Sequence, residues 1–175
     1  MTPNDPSSSA PTPAVEGYKR MLERVKNTLQ ELETAAGSRL ERALDMAKDK
    51  ALELGELTRE EADKVAEYLR RDMEDAANYL AGPSAQEFAA WLRFDVEQIE
   101  ERILESFLSA ADQTKLELMR LEQRSIEPAE YRTGEVTGFG TLVCDECGKS
   151  LHFYEPGRIP PCPSCRNTRF SRSSE

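Results

Sequence analysis

The sequence predicts a mainly α fold: an elongated, antiparallel, coiled-coil-like helical body followed by a small β module. Three observations predict it. Apolar residues recur at three- and four-residue steps through most of the first 124 positions, glycine and proline interrupt these stripes at only a few points, and all four cysteines fall between residues 144 and 165. The composition agrees: 32% charged, 38% hydrophobic and only 7% aromatic residues suit long amphipathic helices better than a thick core. No large core is expected.

Residues 1–13 hold four prolines and three consecutive serines with almost nothing apolar, the composition of a disordered leader. The helical body is expected over residues 14–124. Its first helix, about 14–54, carries Val15, Tyr18, Leu22, Val25, Leu29, Leu32 and Ala36, spacings that keep one stripe on one side. Gly37-Ser38 then shifts the phase, and Leu40, Leu44, Ala47, Ala51 and Leu54 resume it, so the helix kinks or restarts near 37. Gly55 ends it.

Thr58-Arg59-Glu60-Glu61 reads as a capping box that opens a helix over 58–81, with Ala62, Val65, Leu69, Met73, Ala76 and Leu80 on one face. Gly82-Pro83 stops it, because proline cannot continue the hydrogen-bond ladder. Ser84-Ala85-Gln86-Glu87 is a second capping box, opening a helix over 85–124 through Leu92, Val96, Ile99, Ile103, Phe107, Ala110, Thr114, Leu118 and Leu121, with Asp112 as a candidate restart. Short loops between such segments make antiparallel packing the simplest arrangement. The shorter middle helix would leave parts of the outer seams for self-association or a partner, with Phe94 an off-stripe candidate anchor.

The net charge of −10 sits in the body: Ala14–Glu130 contains 27 acids and 17 bases, Tyr131–Glu175 5 acids and 6 bases. Such a body repels nucleic acid and anionic lipid, so any contact with either must use a local patch. No apolar run approaches the ~20 residues of a membrane span. The first residues lack a basic and apolar leader pattern, so a cytoplasmic, reducing setting is expected.

Residues 125–133, with Pro128, read as a linker, and 134–175 as a zinc ribbon and short tail. Gly134–Val143 reads as a strand with glycine bends, Leu151–Tyr154 as a second strand and Thr168–Ser171 as a third. Between them lie Cys144-Asp145-Glu146-Cys147 and Cys162-Pro163-Ser164-Cys165, two CxxC pairs with fourteen residues between. Zn²⁺ takes four thiolates in a tetrahedron at about 2.3 Å, and two facing CxxC turns supply that number and shape. Cys144, Cys147, Cys162 and Cys165 are the expected ligands of one structural zinc, a closed site with no position for substrate. A dithiol redox pair would need a helix N-terminus behind it, and neither pair precedes a helical pattern. Gly148 follows the first pair where a positive φ is wanted; Arg166 holds the matching place, with Asn167 expected to take part of that load and the second knuckle to be less regular.

His152 is the only histidine and reads as an exposed strand residue. The carboxylate runs Asp72, Glu74, Asp75 and Glu97, Glu100, Glu101 read as solvated faces. With one histidine there are no Glu-x-x-His pairs for a di-iron bundle, and no catalytic or cofactor-binding residue beyond the zinc ligands is expected. Arg158, Arg166, Arg169 and Arg172 around Phe170 form a small basic and aromatic set able to track a nucleic-acid backbone, or simply a solubilising surface.

These motifs resemble the bacterial zinc-ribbon family typified by YbeL. The likeness runs from about Tyr18 to Arg172 and rests on Gly55-Glu56-Leu57-Thr58, on Arg70-Arg71-Asp72, on Gly134-Glu135-Val136 with Gly138, Gly140 and Leu142-Val143-Cys144, and on Cys147 with Cys162-Pro163-Ser164-Cys165. It implies a small cytoplasmic protein with zinc held by the four cysteines, and nothing catalytic. Arg166 departs from the glycine usual in that knuckle. The resulting expectation is a non-enzymatic adapter or regulatory protein acting through a protein partner or self-association, with no membrane and no small-molecule substrate. The alternative is a nucleic-acid- or ribosome-associated factor using the arginine-bearing ribbon, and a thiol-redox or zinc-handling role comes third. Body and ribbon are expected to fold separately, each around its own contacts.

Overall fold

The structure, a computed structural model, describes residues 12–32, 38–81, 101–120 and 129–172. Among these, helices α1 (Pro13–Glu31), α2 (Arg39–Glu53), α3 (Arg59–Ala81) and α4 (Glu101–Arg120) precede six short strands, β1 (Glu130–Arg132), β2 (Val136–Thr137), β3 (Gly140–Cys144), β4 (Ser150–Phe153), β5 (Gly157–Arg158) and β6 (Arg169–Arg172). The fold is a helical body followed by a small antiparallel β ribbon. The leader up to 11, the phase shift at 33–37, the second capping box, Phe94, Glu97, Glu100 and the ends of the 85–124 helix lie outside the described residues.

Local chemistry sets four of the helix boundaries. Pro13 starts α1, where its missing N–H costs nothing. Ser38 Oγ accepts from Glu41 N at 3.2 Å to open α2. The amides of Gly55 and Glu56 bond back to the carbonyls of Leu52 and Ala51, a Schellman ending. The capping box at Thr58 forms in both directions: Glu61 N donates to Thr58 Oγ1 at 3.3 Å, and Thr58 N to Glu61 Oε2 at 2.9 Å. Asp112 lies within α4 and starts no new helix.

The first stripe belongs to two helices packed on each other. Arg24 forks onto Glu56 at 2.7 and 2.8 Å, tying α1 to the turn after α2. Glu41–Arg70 and Lys48–Asp63 pairs set α2 and α3 antiparallel. On the other side Glu23–Arg102, Lys26–Glu105 and Gln30–Ser109 pair at a constant offset of 79, so α1 and α4 run in the same direction. Glu117 on α4 accepts the amides of Arg39 and Leu40 at 3.0 and 3.1 Å and closes the open end of α2.

One contiguous core fills the space between the helices, which overturns the expectation that no large core would form. The stripes are wide enough to meet several neighbours at once: α4 buries Leu104 and Ala111 beside Ile103, Phe107 and Ala110, and small residues on α2 admit close approach. Leu54 departs from its stripe and is exposed. Most of the residues expected on the seams therefore face each other within one chain.

The strands form a four-stranded antiparallel sheet in the order β1-β6-β3-β4 and a two-stranded pair, β2 with β5. The stretch read as a linker thus ends in a strand, β1, paired with β6. The run from Gly134 does not make one strand but two, separated at Gly138, because the chain there is pressed onto the body. A Cβ at Gly138 would meet Phe107 at 2.7 Å and the Tyr18 hydroxyl at 2.8 Å. Val136 and Phe139, ribbon residues by sequence, belong to the helical core, and Phe139 meets Phe107 edge to face at 5.4 Å. Body and ribbon share a core, contrary to the expectation of separate folding.

A buried polar network seals the same seam. Asp72 is fully buried; it accepts from the Tyr18 hydroxyl at 2.6 Å and from Gly138 N at 2.7 Å. Arg71 Nε lies 3.3 Å and Arg172 Nη2 3.7 Å from its other oxygen. Asp75 accepts from Tyr131 at 2.7 Å and pairs with Arg172 Nε at 2.5 Å. The Arg71 and Arg172 guanidinium groups lie 4.0 and 5.0 Å from the centre of the Tyr131 ring, and Arg172 Nε donates to the Tyr131 hydroxyl at 3.1 Å. Arg71 also reaches Glu135 and the Val136 carbonyl. Asp72 and Asp75 are therefore not a solvated face. Burial, then the Asp72 charge, pushes the Tyr18 hydroxyl well above its ordinary range, so it stays a donor.

Phe139→Ala should destabilise the body although the residue lies in the ribbon. The expected loss is about 3–5 kcal/mol for a buried phenylalanine, read as a lower urea midpoint of the helical circular dichroism; an unshifted midpoint would show that the core is not shared.

Candidate metal centre

The first CxxC pair sits where a strand ends in a turn, and the second in a turn that follows an irregular stretch after β5. Cys144 closes β3, and its carbonyl accepts Gly148 N at 2.9 Å; the second turn repeats this, Cys162 O accepting Arg166 N at 2.9 Å. Both turns need a left-handed residue at the same place. Gly148 takes φ 71° and Arg166 takes φ 63°, so Arg166 itself bears the strain that had been assigned in part to Asn167, and in this turn the second knuckle matches the first. A side chain there costs roughly 1–2 kcal/mol.

The fold brings the four expected ligands together. The Sγ atoms of Cys144, Cys147, Cys162 and Cys165 all lie within 4.8 Å of one another, with Cys144–Cys165 at 3.5 Å and Cys147–Cys162 at 3.6 Å. A tetrahedron with metal–sulfur bonds of about 2.3 Å has sulfur–sulfur edges of about 3.8 Å. The thiols are free, with no disulfide among them. Donor number, chemistry and spacing fit one zinc ion. Four cysteines fill a tetrahedral coordination, so the metal would cross-link the two knuckles.

The two inner ligands, Cys144 and Cys162, are buried in the ribbon core with Tyr131, Leu142, Ile159 and Phe170, while Cys147 and Cys165 are exposed. Backbone amides aim at the inner sulfurs. Burial opposes the Cys144 thiolate, but the amides of Cys147 and Glu146 and the Asn167 side chain outweigh it and draw the thiol below its ordinary range. The Cys165 amide leads the same effect on Cys162, against its burial. The Asn167 contact, Nδ2 to Cys144 Sγ at 3.6 Å, crosses from one knuckle to the other. Sequence reasoning missed this role, since only pairing of the knuckles places position 167 against 144.

His152 is not part of the cluster. It is exposed on β4, its Nδ1 2.9 Å from Thr141 Oγ1 and its ring stacked on Tyr154. His152 is an exposed strand residue as expected, and of the arginine set Arg158, Arg166 and Arg169 are exposed. Phe170 is fully buried and offers no face for a base, and Arg172 is turned inward onto Asp72 and Asp75. Arg158 donates to the Gly134 carbonyl and Arg169 lies 3.8 Å from Glu130. No helix among the described residues is long and apolar enough to cross a membrane.

Purified protein should carry one zinc per chain by elemental analysis and release it on acidification, as protons compete for the thiolates. Because amides hold the Cys144 and Cys162 thiols below their ordinary range, release should begin at lower pH than in Asn167→Ala, which lacks one donor. Arg166→Gly should stabilise the loaded ribbon by about 0.5–1 kcal/mol by relieving the left-handed residue; a loss of stability would mean that the arginine side chain contributes more than its strain costs.

The zinc-ribbon containing domain family matches residues 27–174, a span that takes in helices as well as ribbon. The uncharacterized protein YbeL of Escherichia coli strain K12 is 30% identical over 159 residues, covering 86% of this chain and 97% of that protein. The YbeL proteins of the O6:H1 and O157:H7 strains match to the same extent. No solved structure matches the chain significantly. With four thiols gathered in a ribbon and a family match that runs through the helices which carry it, the chain belongs to the zinc-ribbon containing domain family.

Proposed function

We propose that this protein acts through protein–protein contact, as an adapter or regulatory factor whose ribbon is held by a structural zinc. The observation that carries this is the closure of the metal centre. Four cysteines supply every ligand a tetrahedral zinc takes, which leaves the ion a structural part and puts recognition on the surface around it. The surface available is acidic over the body, where 27 acids outnumber 17 bases. A partner with a basic face suits that field, and association would be steered by charge. Because the helical stripes meet each other in one core, a different partner fits the surface better than a second copy of this chain. The inward position of Arg172 and burial of Phe170 weigh against a nucleic-acid backbone as the main ligand.

Zinc-loaded full-length protein should capture a protein partner from nuclease-treated lysate. The same complex should form from the two purified components and weaken as salt rises across the range in which surface charges are screened. Retention of nucleic acid alone, lost on nuclease treatment, would overturn the adapter role in favour of the nucleic-acid one.

A further inference from the structure

We propose that the metal centre is a latch on the helical body: the cysteine cluster holds β6, and β6 holds Arg172 between Asp72 and Asp75, so that metal loss opens the seam between ribbon and body. The proposal rests on the metal reading of the cysteines and is independent of the adapter role. It concerns what the ion keeps shut.

The route from sulfur to helix is short and continuous. Cys144 on β3 is the register partner of Phe170 on β6, and Leu142 that of Arg172. The second knuckle leads into the same strand, with Cys162 N donating to Asn167 O at 2.9 Å and Asp145 N to Arg169 O at 3.3 Å. Two residues beyond Phe170, the Arg172 side chain turns to the seam, where it bonds the ribbon's own Phe139 carbonyl at 2.7 Å and Thr137 Oγ1 at 3.3 Å and pairs with the two aspartates of α3.

Apart from what it shares with the body, the ribbon has only a small core. Its own buried cluster is Tyr131, Leu142, Cys144, Leu151, Phe153, Ile159, Cys162 and Phe170, and two of these are metal ligands. A core of that size does not sustain a module without a staple. With the metal gone, β6 loses its anchor and Arg172 its position.

Asp72 then becomes the point of failure. It is fully buried and depends on the ribbon for both Arg172 and the Gly138 amide. A buried carboxylate stripped of such partners must gain water or a proton. Water reaches it only if Gly138 and Phe139 lift off Tyr18 and Phe107, so the seam parts and an aromatic surface on α1 and α4 is uncovered. Arg71 stays with Asp72 on α3 and limits the damage to the seam.

The test uses the full chain. Hydrogen exchange should be followed in zinc-loaded protein and after removal of the ion by a high-affinity chelator. Amides of α1 around Tyr18 and of α3 around Asp72 should exchange about tenfold faster or more without the metal, and return on adding zinc. Coupling is reciprocal, so Asp75→Asn should weaken zinc binding about tenfold in competition with a chromophoric chelator, whereas Asp112→Asn on α4 should leave it unchanged. Should Asp75→Asn fail to fold, Thr137→Val, which removes one contact of Arg172, should weaken zinc by a smaller factor in the same direction. Unchanged helix exchange on metal removal, or wild-type zinc affinity in a folded Asp75→Asn, would overturn the latch while leaving the metal site intact. A chain that retains no zinc at all would overturn the metal site and the latch together.

Discussion

One carboxylate organises the seam on which the rest of the molecule depends. Asp72 sits on the inner face of α3 with no exposure, and it is satisfied by a hydroxyl from α1, a backbone amide from the bend between β2 and β3, and cations from α3 and β6. An isolated charge at that depth would be prohibitive, and removing one partner from a buried ion pair costs about 3–5 kcal/mol. The arrangement fixes position as well as energy. A hydrophobic seam alone would tolerate a shifted ribbon; a carboxylate that needs four groups at hydrogen-bonding or ion-pairing distance does not.

The ribbon that results is not an appendage. Its aromatic residue Phe139 belongs to the helical core, its Tyr131 ring is close to both Arg71 and Arg172, and Lys19 of α1 reaches Glu155 at 3.2 Å. In exchange the body supplies what a forty-residue β module lacks, a large apolar surface to rest on. A bound zinc and the body would therefore support the ribbon in different ways, the one by tying its turns and the other by covering Val136 and Phe139.

Much of this was legible in the sequence, and the divide between what was and was not follows from the range of the interactions. Capping at Ser38 was not foreseen, but the box at Thr58, the stop at Gly55 and the inner stripes of α1, α2 and α3 rest on residues a few positions apart, and they appear where the spacing put them. The four cysteines carry their own geometry in two CxxC turns. What could not be read is which acids are inside. Asp72 does fall on the stripe of Val65, Leu69 and Ala76, a signal that was available; its partners, however, lie 54 and 66 residues away and only the tertiary fold assembles them. Arg172 looked like part of a basic surface for the same reason. Arg166 shows the opposite limit: the turn geometry was inferable, and the chain simply accepts the cost of a side chain where glycine would be easier.

The sharing of Asp72 among distant segments has a consequence for single substitutions in the chain. Tyr18, Gly138 and Arg172 stand in three stretches of sequence far from Asp72, yet each serves the same pair of oxygens. Losing any one of these partners leaves a buried carboxylate short of a donor or a countercharge. The seam is thus sensitive to single changes at widely separated positions, while a change on a helix face turned to solvent takes no partner from the carboxylate.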